Sequence, residues 1–375
     1  MKSEKDTISQ SEKVTVAKRR DQTIDILKGI GIILMVIGHS GAPVWLHNTI
    51  YSFHMPLFFI ASGWFFSEKY LDTPVDYTKR KFKGIYLPYL KWSLVFLILH
   101  NLFFYLGIIN ETYSEQTAFN LNEYVSHLCN IVFVMKGYDS LLGTYWFMRA
   151  LLVGCLFLGL FSSLIYKVFK GNKYYIIIIT SLLFFIIGAV VSFFQLRIPV
   201  IPHNGYREML AAFFIGMGFW IRGKEGMLSR YSLLMLIILV LCILFHPTEM
   251  VPDISFYDWL VIPVAGICGF LLVYQVSKYI STKRNVLNQV LVYIGQRTFY
   301  VMTFHFLMFK PASYLKAYIW NMDMQVVGYL PVIPPKGDMW YWIVYAISSL
   351  VFSLMLERLV SQIPSFSAII QKISK

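Results

Sequence analysis

The sequence predicts an all-α fold, a polytopic integral membrane protein of about ten transmembrane helices with both termini on the cytoplasmic side. Three observations carry this expectation. Of 375 residues, 57% are hydrophobic and only 14% charged, and the mean hydropathy is +0.60, which excludes an ordinary water-soluble domain. The apolar mass falls in segments near 20 residues long, the length that crosses a hydrocarbon core. Basic residues crowd into alternate loops, as the positive-inside rule requires.

The elements follow in order. Residues 1–23 are polar, include Lys2, Lys5, Lys13, Lys18, Arg19 and Arg20, and are expected to form a cytoplasmic tail. No apolar core with a small-residue cleavage site precedes the first span, so a signal peptide is not expected. The membrane domain is expected over 24–358, and 359–375 as a second cytoplasmic tail, with no further soluble domain. Spans are expected near 24–45, 49–66, 84–108, 145–166, 173–195, 208–221, 231–246, 257–277, 289–309 and 340–357. The second is interrupted by Pro56, expected to bend it, and the sixth is short. In lipid every backbone group must be satisfied internally, so helices are the reading for all ten.

Charge then sets orientation. One set of loops holds the N-terminal tail, Lys69, Lys79-Arg80-Lys81-Phe82-Lys83, Lys167, Lys170, Lys173, Arg222, Lys224, Arg230, Lys278, Lys283, Arg284, Arg358, Lys372 and Lys375. The alternate set holds Lys136, Arg197, Arg207, Lys310, Lys316 and Lys336. This one-sided distribution explains the net charge of +13 better than a nucleic-acid partner does, and none is expected. Cys129, Cys155, Cys242 and Cys268 show no paired spacing, and no metal-ligand motif occurs, so neither a disulfide framework nor a metal is expected. The long outer loops near 109–144 and 310–339 carry Tyr113, Tyr124, Tyr138, Trp320 and Tyr329. These rings suit either sugar stacking or an interfacial aromatic belt.

The chemistry concentrates between Asp25 and Gly63. Lys28 and His39 are eleven residues apart, so on one helix they lie within about 20° of each other and roughly 16 Å apart along the axis. Asp25 falls on the same side. Titratable groups inside a membrane helix are costly, so such a stripe points to a wet, functional face, or else to a polar seam between helices. Asp25 can pair with Lys28 one turn away but is too far along the helix to orient His39. His47, in the hairpin, reads as a solvated loop residue. His54 opens the second span near the depth of His39.

These motifs resemble the membrane acyltransferase 3 family, whose first helix carries a basic residue, ten intervening residues and a histidine. Lys28 followed by His39 matches, with Lys in place of the commoner Arg. The upstream Asp25 is similar to the fucose-acetylase-like branch. Phe53-His54-Met55-Pro56-Leu57-Phe58-Phe59, ending in Ser62-Gly63, resembles the second-helix signature. Arg80 and Lys83, three apart with Pro88 behind them, resemble the family's basic pair.

The resemblance implies an O-acyltransferase in the bacterial cytoplasmic membrane. The donor substrate would be acetyl-CoA or another acyl-CoA from the cytoplasm. The acceptor would be a hydroxyl of a cell-envelope glycan or lipid-linked saccharide near the outer face. A homo-oligomer is left open. His39 is the expected general base, because an imidazole takes and returns protons near neutral pH. His54 would act beside it, with Asp25 and Lys28 building the inner side of the catalytic site. Arg80 and Lys83 suit the phosphates of coenzyme A, although both also read as topological anchors. Ser62, with Gly63, would admit the ligand chain or permit close helix packing. Trp146, Arg149, Arg297 and His305 are candidates on the acceptor side. Arg149 could equally hold a buried carboxylate, and Arg207-Glu208 reads as a simple ion pair. On the ninth span Gly295, Thr298, Met302 and His305 share a face. The competing class is a transporter or flippase of a lipid-linked saccharide, which would also need a polar path but more often shows matched repeats.

Overall fold

The computed structural model describes residues 22–196, 202–251, 253–283 and 285–362. Most of the two expected tails, and the basic residues Arg197 and Arg284, lie outside these. Among the described residues the chain is helical, with no strand. It opens with α1 (Thr23–His39), α2 (Val44–Tyr51), α3 (His54–Gly63) and α4 (Pro74–Lys81), then a π turn (Phe82–Tyr86) that runs into α5 (Leu87–Tyr105). The next segment holds α6 (Glu111–Ser114) and α7 (Leu121–Cys129) before α8 (Trp146–Phe169) and α9 (Lys173–Phe193). Then come α10 (Tyr206–Ile221), α11 (Glu225–Leu228), α12 (Ser232–Phe245), α13 (Phe256–Thr282), α14 (Val286–Gly295), α15 (Thr298–Ile319) and α16 (Trp342–Gln362).

Six helical stretches are long and apolar enough to cross a membrane: Pro74–Tyr105, Ser140–Phe169, Lys173–Phe193, Glu225–Phe245, Phe256–Thr282 and Trp342–Gln362. They coincide with six of the expected spans. The other four segments are shorter or broken. The first ends at His39, where Ser40 closes it and Gly41 turns at φ 79°. The second breaks into α2 and α3 at Ser52–Phe53. Pro56 is therefore not its kink. It sits in the first turn of α3, where a missing N–H costs no helical bond. The third, α10, has 16 residues. The last breaks at Gln296–Arg297, so Gly295 ends α14 and the faces of α14 and α15 are not one continuous helix. His47 lies on α2, half-buried and stacked on Tyr51 at 3.9 Å, rather than in an open loop.

Lipid supplies no hydrophobic drive between helices, so tight backbone approach and polar contacts hold such a bundle. Two glycine crossings show this. A Cβ on Gly29 would meet the Leu291 carbonyl oxygen at 2.3 Å, so α1 and α14 touch backbone to backbone. A Cβ on Gly218 would meet the Ile60 carbonyl oxygen at 2.0 Å, so α3 and α10 do the same. α10 is the hub, buried along almost its whole length against α3, α8 and α9. α1 packs on α3, α13, α14 and α16. By contrast α12 leaves Leu233, Leu236, Ile237, Val240 and Leu244 exposed, an apolar face suited to lipid.

The loops sort to two ends of the bundle. At one end Lys173 pairs with Asp72 at 2.5 Å, and Arg222 donates to the carbonyls of Trp64 and Phe66. At the other, Asn110 donates to the Gln325 carbonyl at 2.8 Å and Tyr113 packs on Tyr329. There the buried Lys316 pairs with Asp338 at 2.6 Å. The loop rings mostly pack on one another: Tyr124 lies on Phe119, Tyr138 on Tyr145, and Trp320 on Tyr341.

Candidate active site

A cavity of about 380 Å³ opens between α1, α3, α8, α10 and α15. Its wall includes Lys28 at one end of α1 and His39 at the other, with Ile32 and Met35 between them. Of the predicted stripe, Lys28 and His39 thus line a cavity, whereas Asp25 does not and lies buried between helices. His54, Ser62 and Trp146 line the same space, as do Thr298 and Met302 from α15. The wall between the polar ends is mainly apolar, built from Met55, Phe58, Phe147, Leu151 and Phe299.

Three histidines and a tyrosine gather where α1 ends. The His39 and His305 rings lie 5.4 Å apart, and Phe306 closes on His39 at 5.2 Å. The hydroxyl of Tyr51 is 3.0 Å from His39 Nδ1 and 3.5 Å from Nε2, so Nδ1 is its closer partner. The Tyr51 ring is also edge-on to His54, with centroids 4.9 Å apart. His54 Nδ1 donates to the Ile50 carbonyl at 2.9 Å, and His305 Nδ1 donates to the Met302 carbonyl at 2.8 Å. In each neutral ring Nε2 is therefore the acceptor. The His305 Nε2 is buried and has no hydrogen-bond partner among the described residues. His305 itself stands behind His39 and is not part of the cavity wall.

At the opposite end Asp25 pairs with Lys28 at 3.0 Å, and Gln296 reaches the Asp25 carboxylate at 3.4 Å. The Gly29–Gly295 crossing brings Gln296 to this spot. Arg80 and Lys83 are exposed and do not line the cavity, but Gly84 and Ile85, next in the chain, do. The π turn explains the switch. Pro88 has no N–H to give one turn back, and the chain widens locally to keep its remaining bonds. Gly63, beside Ser62, meets α10 instead of the cavity: its Cβ would reach the Ile215 carbonyl oxygen at 1.9 Å.

Two predicted residues stand apart. Arg149 is buried and holds the Glu208 carboxylate at 2.7 Å, the carboxylate-binding alternative of the sequence reading. Glu208 thus pairs with Arg149, and Arg207 instead stacks on Trp146 at 3.9 Å. Arg297 pairs with Glu357 of α16 at 3.0 Å and covers Tyr293, away from the cavity. Tyr51, Thr144, Arg207 and Glu249 line the cavity and were not singled out as site residues by their sequence context. For Tyr51 the sequence carries no signal, because α2 and α3 break between it and His54. Glu249 lies in a segment without regular structure and carries no signal either.

The family model described as "Acyltransferase domain" matches residues 21–358. The nodulation protein NolL of Sinorhizobium fredii is 30% identical over 159 residues, covering 39% of this chain and 38% of that protein. The match therefore spans well under half of either. No solved structure matches the chain. With a family match across nearly the whole sequence and apolar helices throughout, this chain is a multi-pass membrane protein and belongs to the acyltransferase 3 family.

Proposed function

We propose that the protein is an O-acetyltransferase of the bacterial cytoplasmic membrane, taking acetyl from cytoplasmic acetyl-CoA to a hydroxyl of a cell-envelope saccharide. The cavity running from Lys28 to His39 is the observation that carries this reading. A thioester donor and a hydroxyl acceptor must meet while one is charged and cytoplasmic and the other lies outside. A pantetheine arm is roughly 15–20 Å long, and Lys28 and His39 are separated by roughly 16 Å along their helix. The apolar wall between them suits that arm. Arg80 and Lys83, exposed beside the wall residues Gly84 and Ile85, are the proposed phosphate contacts. This orientation puts both termini and the 67–83 connection inside, within a topology of ten spans.

In the reaction His39 Nε2 takes the proton of the acceptor hydroxyl as its oxygen attacks the thioester carbonyl carbon. The carbon–sulfur bond then breaks, and the coenzyme A thiolate leaves and takes the proton back from His39. The Tyr51 hydroxyl oxygen accepts a hydrogen bond from the Nδ1–H of the transient imidazolium, which keeps that proton. His54, whose Nδ1–H is held by the Ile50 carbonyl, faces the same cavity through an accepting Nε2 and so can take a hydrogen bond from a hydroxyl of the acceptor. Incubation of the purified protein with acetyl-labelled coenzyme A and a panel of envelope glycans tests the reading, and labelled glycan is the expected product. Movement of a lipid-linked glycan across vesicles with no affinity for coenzyme A would replace it with the transporter reading.

A further inference from the structure

Interior charges in this protein are otherwise partnered. Lys28 has Asp25, Arg149 has Glu208, Arg297 has Glu357 and Lys316 has Asp338. Lys310, which faces no carboxylate within bonding distance among the described residues, is bound by the carbonyls of Val327 and Tyr329. Two charges on the cavity wall break the pattern. Arg207 donates through Nε to the Met250 carbonyl at 2.8 Å and lies flat on Trp146. Its terminal nitrogens bond no carboxylate among the described residues. Glu249, one residue before Met250 and on the same wall, makes no side-chain hydrogen bond or ion pair among them either, and meets Arg207 only through its charge at longer range.

The guanidinium is held on three counts: its Nε bond, the indole beneath it and its place at the start of α10. It is thus a preformed donor and not a loose surface cation. Such a group left open to a cavity has a use only if a ligand meets it. A cationic ligand would satisfy Glu249 but face Arg207, and an anionic one would do the reverse. A sugar hydroxyl donates and accepts at once. Two adjacent hydroxyls can give their protons to the Glu249 carboxylate and accept from the Arg207 guanidinium, with no net charge required.

We infer that Arg207 and Glu249, beside Trp146, form a subsite for a neutral sugar ring bearing adjacent hydroxyls, and that they set the charge class of the acceptor. The role of the bound sugar as acceptor rests on the acetyl-transfer reading, whereas its binding does not. The subsite shares the cavity with His39, His54 and Tyr51, so a ring held there can present a further hydroxyl to His39.

Binding of matched sugar pairs to the purified, detergent-solubilised protein tests the inference without any transfer step. The probes are the methyl glycosides of glucose, galactose and mannose, each against its uronic acid counterpart, measured by titration calorimetry. The expected result is preference for the neutral member of at least one pair, weakened roughly tenfold in Glu249→Gln and in Arg207→Gln. Glu249→Gln should also narrow the gap between neutral and acidic members, because it removes the repulsion of the acid. Thermal stability and a single elution peak in the same detergent serve as the folding control and should be unchanged. Preference for the uronic acid, binding of none of the probes, or equal binding by wild type and both folded variants would overturn the subsite. If the sugars bind as expected and no acetyl is transferred, the reaction proposed above falls and the subsite stands.

Discussion

His39 is the residue on which the proposed chemistry turns, because its Nδ1 is occupied by Tyr51 and its ring faces the cavity. Replacement by Gln keeps much of the volume and one hydrogen-bonding edge but removes the base. His39→Gln should therefore lose acetyl transfer by about 10²- to 10⁴-fold while retaining coenzyme A affinity and thermal stability. Parallel transfer assays and calorimetric binding check this. Substantial activity in the Gln variant would make His39 a positioning residue. The His39–Lys28 relation was legible from spacing alone, since eleven residues bring both to one helical side whatever surrounds them. Tyr51 was not, because its role depends on a tight return of the chain between α1 and α3. The hairpin is expected around His47, and Tyr51 falls in the second expected span without a role, yet α2 forms over both and lays Tyr51 between His39, His47 and His54. Arg149 and Arg297 show the converse. Each reads as a binding group by residue type, and each is used by a carboxylate, Glu208 or Glu357, about sixty residues further along the chain.

At the scale of elements, the crossing of α1 and α14 sets where the stripe stands. A Cβ on Gly295 would meet the Asp25 carbonyl oxygen at 1.7 Å, and nothing flexible lies there to yield. Gly295→Ala should therefore push the helices apart, costing about 1–3 kcal/mol or more as an overpacked contact does. Because α1 carries Lys28 and His39, transfer should fall with stability. Gly226→Ala is the control: a Cβ there meets nothing within 4 Å, and its effect should stay within about 0.5 kcal/mol. Thermal unfolding of the two variants in one detergent separates them, and equal melting temperatures would remove the crossing from the argument. Periodicity and length found the long helices, from α5 through α16, because a lipid-crossing run announces itself. They did not find the breaks at Ser52–Phe53 and Gln296–Arg297. Neither break contains a proline at the point of interruption, and a glycine, Gly295, borders only the second. Pro56 drew the kink one turn late: its preference for a first helical turn was satisfied by the break upstream.

Over the whole molecule, the sorting of charge along the chain and the sorting of loops in space agree. Asp72 and Asn110 flank the stretch Pro74–Tyr105, which is long enough to cross a membrane, and they meet different sets of partners. Asp72 meets Lys173 from the basic set of loops, whereas Asn110 meets Gln325 in the long connection before α16. The two ends of the bundle are thus chemically distinct, and the proposal that the Lys79–Lys83 end faces the cytoplasm follows from the positive-inside rule. This follows from sequence because each basic residue near a span end resists transfer on its own, without needing a partner. Labelling intact cells with a membrane-impermeant thiol reagent tests it. Cys129 is exposed on α7, so the background carries Cys129→Ser. In that background Glu111→Cys should label from outside, and Lys79→Cys should label only after the membrane is opened. Labelling of position 79 in intact cells would invert the protein. It would also move Arg80 and Lys83 to the side where coenzyme A is absent, and the donor half of the proposed reaction would fail with the topology.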